Sequence, residues 1–95
     1  MATVRERVLV VDDDAVVRRL VVAMMTREGF TCAVAGTLDE ARAEAASFDP
    51  DVVLLDVNLA GESGLTLATE LGARAGGPAV IMVSAFAPFS AWRLA

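Results

Sequence analysis

Two aliphatic runs, each ending in acid, limit what this chain can fold into. Residues 52–55, Val-Val-Leu-Leu, lead straight into Asp56, and residues 8–11, Val-Leu-Val-Val, lead into Asp12, Asp13 and Asp14. Consecutive apolar residues without alternation fit strands covered on both faces, as in a parallel sheet with helices packed above and below. Both runs then deliver carboxylates at a strand's C-terminal end. In open parallel sheets that edge is where loops form a crevice and ligands collect. Asp56 is followed by a loop punctuated by Gly61 and Gly64.

The order of elements agrees with this reading. After the first strand, 8–11, Asp13 or Asp14 can cap a helix in which Val16, Leu20, Val21 and Met24 recur at helical spacing. Arg18, Arg19 and Arg27 are expected on its solvated face, and Gly29 is a natural stop. Residues 30–35 read as a short second strand, weak enough for a sheet edge. Thr37 and Glu40 have capping-box spacing, which opens a second helix over 38–47 that closes before Asp49 and Pro50. Ser63 can cap a third helix from Gly64 to about Arg74, ending at Gly76 and Gly77. A fourth strand at 79–83 brings Ser84 to its end. Strict strand and helix alternation predicts an α/β doubly wound parallel sheet with right-handed crossovers.

Composition narrows the chemistry. A chain of 95 residues has room for one domain, 1–95, and its 56% hydrophobic content is high for that size. The formal charge is −5, and all eight basic residues are Arg, scattered along the chain, so the basic footprint of a nucleic-acid surface is missing. With no His and one Cys, Cys32, most zinc sites, Ser-His and Cys-His pairings and an internal disulfide are excluded. Cys32 fits a small packed hydrophobe, and a reducing cytoplasm is the simplest compartment. No signal-peptide core precedes residue 8, and the uncharged stretch from Gly76 to Trp92 is short and broken by Pro78 and Pro88.

The acidic turn 12–14, the Leu54-Leu55-Asp56 strand end, Asn58 with the Gly-punctuated loop, and Val83-Ser84-Ala85 together resemble the receiver domain of bacterial two-component response regulators over residues 7–85. The resemblance implies a flavodoxin-like sheet of order 2-1-3-4 up to the fourth strand. It implies Asp56 as phosphoacceptor, with Mg²⁺ held by Asp13, Asp56 and the backbone carbonyl of Asn58, and by Asp12 through water. Ser84 would bond a phosphoryl oxygen and switch orientation. The implied partner is a histidine kinase or phosphotransfer protein, and the implied role is signalling, not enzymatic turnover. Acids gathered in one crevice repel one another, and a hard cation relieves that repulsion while letting a carboxylate approach an anionic phosphoryl group.

Two departures shape the remaining expectations. Such receivers place a Lys at the end of a fifth strand, whereas this sequence holds no Lys, and Ala60 stands where Pro is usual. The expectation is a sheet truncated after strand four, lacking the fifth strand and last helices. The tail at 86–95, with Phe86, Phe89 and Trp92, would then cover the exposed edge, favouring a homodimer. A degenerate receiver serving as a phosphorylation-independent interaction module is the alternative. A haloacid-dehalogenase-like phosphatase, prompted by the Asp-x-Asp of residues 12–14, is disfavoured by the absent Lys.

Overall fold

The computed structural model describes residues 6–59, 62–73 and 76–83. In chain order these form β1 (Arg7–Val11), α1 (Ala15–Arg27), β2 (Thr31–Ala35), α2 (Leu38–Phe48), β3 (Val52–Asp56), β4 (Asn58–Leu59), β5 (Glu62–Ser63), α3 (Gly64–Gly72) and β6 (Ala79–Val83). The main sheet has the order β2-β1-β3-β6, all parallel, which is the expected 2-1-3-4 order when its four strands are counted alone. The loop after β3 carries one feature absent from the sequence reading. Asn58 pairs with Ser63 and Leu59 with Glu62 in a small antiparallel ribbon.

Local chemistry accounts for the helix boundaries. Of the two candidate caps for α1, Asp14 is the one used, accepting from the Val16 and Val17 amides at 2.8 and 3.3 Å. Gly29, at φ +95°, follows the end of α1 in a conformation that side chains avoid. At α2, Thr37 Oγ1 accepts from the Glu40 amide at 3.1 Å, while the Glu40 carboxylate reaches back to the Gly36 amide at 2.7 Å, one residue earlier than an ordinary capping box. Ser63 caps α3 through the Leu65 amide. The helix is shorter than anticipated, ending at Gly72.

Strand alternation sends one set of side chains to each sheet face. Leu9, Val11, Val53 and Leu55 point to the face covered by α2 and α3, where they meet Leu38, Ala41, Ala45, Leu67 and Leu71. Leu9, Leu55, Leu59 and Leu67 are fully buried there, each worth about 1.5–3 kcal/mol of transfer free energy. Arg42 of α2 forks onto Glu70 of α3, with Nε and Nη2 donating to its two oxygens at 3.0 and 2.9 Å, which ties this layer together.

The opposite face is covered by α1, and here the helical periodicity was misleading. Val16, Leu20 and Met24, expected to face the core, are 68%, 60% and 52% exposed. The half-buried residues of α1 are Val21, which was expected there, together with Arg18, Val22 and Met25. These follow the i, i+3, i+4, i+7 spacing of a helix face. Arg18, expected in solvent, therefore opens the packing face. The helix is apolar on more than one side, so pattern alone chose the stripe without a charge.

Candidate functional site

The site lies at the C-terminal edge of the two central strands. Asp56 is the last residue of β3 and pairs with Val83 of β6, and the next amide, Val57, donates to the Val83 carbonyl at 3.0 Å. β1 stops at Val11, but the Asp12 amide still donates to the Ala35 carbonyl of β2 at 3.1 Å, which holds the acidic turn over the sheet. Because β1 and β3 are adjacent and parallel in register, Val11 opposite Leu55, the residues that follow each strand emerge side by side.

Asp12, Asp13 and Asp56 converge there, each offering a carboxylate oxygen, all within 4.8 Å of one another. Asp12 and Asp56 are half-buried and Asp13 is exposed. The Asp12 carboxyl is pushed above its ordinary range, first by burial and then by the charges of Asp56, Asp13 and Asp14. The Asp14 amide, donating to Asp12 Oδ1 at 2.9 Å, works against that rise. A cavity of ≈ 50 Å³ beneath α1 touches Asp12, Asp56, Val17, Val21, Leu54 and Val83, so the acids stand beside apolar walls.

This donor set fits a hard divalent cation. Oxygens bound to one Mg²⁺ at about 2.0–2.1 Å lie about 3 Å apart when adjacent and about 4 Å apart when opposite, and three oxygens within 4.8 Å of one another come near that spacing. Asn58 sits two residues after Asp56 in β4, where its backbone belongs to the ribbon. Ser84, Ala60, Gly61 and the aromatic tail lie outside the described residues.

Two residues shape the site in ways the sequence did not show, Arg18, expected in solvent, and Gly64, read only as loop punctuation and helix start. Arg18 donates from Nη1 to the Asp12 carbonyl at 2.7 Å. Gly64 starts α3 against the Asp56 carbonyl, in a space that a Cβ would overlap. Arg18 left a faint signal, as the charge that interrupts an apolar helix face.

A doubly wound parallel sheet with an acidic crevice at its carboxyl edge defines the class. The model of the response regulator receiver domain matches residues 8–92, and the chain belongs to that family. Among its relatives, the DNA-binding response regulator MtrA of Mycobacterium tuberculosis is 38% identical over 84 residues, covering 88% of this chain and 37% of that protein. The transcriptional regulatory protein AruR of Pseudomonas aeruginosa is 47% identical over 73 residues, 72% of this chain and 30% of that protein. The chain thus spans about a third of the length of these curated relatives. The BeF3-activated N-terminal receiver domain of Klebsiella pneumoniae RstA superposes with a TM-score of 0.78 at 28% identity, over 90% of this chain and 73% of that one.

The chain is therefore a receiver domain of two-component response regulators, a signalling module of a family that binds Mg²⁺ at its acidic pocket and interacts with histidine kinases or phosphotransfer proteins. Among the described residues no helix is long and apolar enough to cross a membrane.

Proposed function

We propose that Asp56 accepts a phosphoryl group from a phosphohistidine of a kinase or phosphotransfer protein. The observation that carries this is the convergence of Asp12, Asp13 and Asp56 oxygens within 4.8 Å at the end of adjacent strands. In the reaction an Asp56 carboxylate oxygen attacks phosphorus, the P–N bond to the donor imidazole breaks with its electron pair leaving on nitrogen, and an acyl phosphate remains on Asp56. Asp13, Asp56 and the Asn58 backbone carbonyl would hold Mg²⁺ directly, and Asp12 through water. Bound there, Mg²⁺ supplies charge neutralisation between the attacking carboxylate and the anionic phosphoryl group. Ser84 would donate to a phosphoryl oxygen.

The clustered acids support this reading over a degenerate interaction module. Asp12 is held above its ordinary range by burial and by the neighbouring acids, a cost that a scaffold alone has no use for. The haloacid-dehalogenase alternative is set aside by the family.

The domain is taken as a single unit over 1–95 that acts in the cytoplasm. Its acidic balance, −5 overall, supports contacts with proteins and not with nucleic acid. Homodimerisation through the outer edge of β6 and the tail completes the proposal. Among the described residues β6 pairs with β3 alone, and its Ile81 and Val83 are exposed. Sedimentation at micromolar concentration tests the dimer, and a monomer refutes it.

The phosphoacceptor role is tested with Mg²⁺ and a small phosphodonor. One phosphoryl group should be gained, stable in acid and labile in base, in the wild type and not in Asp56→Asn. A wild type that gains nothing overturns the assignment.

A further inference from the structure

Asp12 and Asp13 share one peptide plane, and its carbonyl oxygen belongs to Asp12. The orientation of that plane sets ψ of residue 12 and φ of residue 13, and so the direction in which both carboxylates leave the backbone. On its upstream side the turn is fixed by the Asp12 amide bonded to Ala35 of β2. The carbonyl lies past the end of β1, beyond the ladder, and it is met by the Arg18 guanidinium at 2.7 Å in a partly buried setting. A charged donor makes this bond stronger than a neutral one. Arg18 comes from the packing face of α1 together with Val21, Val22 and Met25, so its stem is anchored as well as its head.

A second observation concerns the space on the other side of the guanidinium. Gly36, at the start of the β2–α2 connection, leaves the space into which Arg18 extends. A Cβ on residue 36 would stand 2.9 Å from Arg18 Nη1 and 3.5 Å from its Cζ. The Gly36 amide is itself held by Glu40, so the backbone there has little freedom to yield. The guanidinium thus rests between the carbonyl of Asp12 and a glycine that makes room for it.

We infer that Arg18 is a positioning residue for the acidic pocket, locking the Asp12–Asp13 peptide plane so that both carboxylates face Asp56, with Gly36 leaving the slot that its head group occupies. The inference rests on the reading of the pocket as a Mg²⁺ site. It assigns to Arg18 a role in cation affinity separate from any role in folding.

The test is Mg²⁺ titration by calorimetry on the whole chain, with urea unfolding of the metal-free protein measured alongside. Loss of a group that orients a metal ligand costs about 10–100-fold in affinity, and a backbone contact belongs at the lower end, so Arg18→Met should weaken Mg²⁺ binding about 10-fold. Gly36→Ala, which keeps the arginine but displaces its head, should weaken binding in the same direction. The double variant should bind no more weakly than the worse single variant, since both remove one contact. Arg18→Lys, which restores a charged donor, should recover part of the loss.

A merely structural role would lower urea stability and leave affinity intact. Unchanged affinity in a folded Arg18→Met, or additive losses in the double variant, overturns the inference alone. A wild type that binds no Mg²⁺ overturns the reading of the pocket and the inference with it.

Discussion

Replacing Gly64 with Ala should damage the fold and the pocket together. Gly64 is the first residue of α3, its amide donates to the Val57 carbonyl at 2.8 Å, and its Cα faces the end of β3. A Cβ there would overlap the Asp56 carbonyl oxygen while standing 3.2 Å from the Asp56 carbonyl carbon and 3.3 Å from the Val57 oxygen. All three are backbone atoms, so no rotamer relieves the contact and the start of the helix must withdraw. Overpacking of this kind costs about 1–3 kcal/mol. A clash with backbone belongs at the upper end of that range, about 2–3 kcal/mol, and Ala recovers about 0.5–1 kcal/mol over Gly as a helix former, which leaves a net loss of about 1–2.5 kcal/mol. For a domain of this size that is a fall of about 4–20 °C in melting temperature. Thermal unfolding followed by circular dichroism, with and without Mg²⁺, reads the effect, and any Mg²⁺-dependent rise in melting temperature should shrink because the withdrawing helix start bears on the Asp56 carbonyl. Gly72→Ala is the control. It lies in the same helix with nothing within 4 Å of its Cβ position, so it should be neutral or mildly stabilising. A Gly64→Ala protein that melts within about 2 °C of wild type refutes the steric argument.

Other outcomes follow from the same geometry. Asp12→Asn should stabilise the metal-free protein at neutral pH. The folded-state pKa of Asp12 is raised, so its ionisation costs stability above that value, and the cost disappears below the ordinary value of 3.8; urea unfolding at pH 7 and pH 3.5 should show the advantage only at the higher pH. Because Asp12 is only partly buried, solvent screening keeps that advantage small. Leu67→Ala, at a fully buried position between α3 and the sheet, should lose about 2–5 kcal/mol by urea unfolding, and a loss under about 1 kcal/mol would contradict the packing described. Glu70, held below the usual carboxylate range by Arg42, contributes stability that is present above 4.5 and fades as pH falls through its folded-state value. The stability difference between wild type and Glu70→Gln should therefore vanish in acid, and it should weaken in high salt.

Much of this architecture was legible because the signals were local. The runs 8–11 and 52–55 declared the central strands and 79–83 a further strand of the same sheet, and Thr37 and Ser63 declared helix starts through their own hydroxyls. The pocket was legible because Asp12, Asp13 and Asp56 end strands that a parallel sheet brings together. The parts that were not legible depend on distant neighbours. In α1, Val16, Leu20 and Met24 offered as good an apolar stripe as the face in use, and only the position of β2 and of the Asp12 carbonyl decides for Arg18. The ribbon of β4 and β5 is two residues long on each side, too short to leave a periodic pattern. The need for glycine at 64 lies in the approach of α3 to the end of β3, which no residue near it announces.

The two sides of the sheet are unequally built. Every residue of the buried cluster belongs to the side shared by α2 and α3, whereas α1 has no buried residue. Such lopsidedness should show as a gradient of backbone amide exchange, quickest along α1 and slowest in β1 and β3. The element that carries Arg18 would then be the first to let go when the domain breathes, so the acidic turn would lose its order well before the protein unfolds.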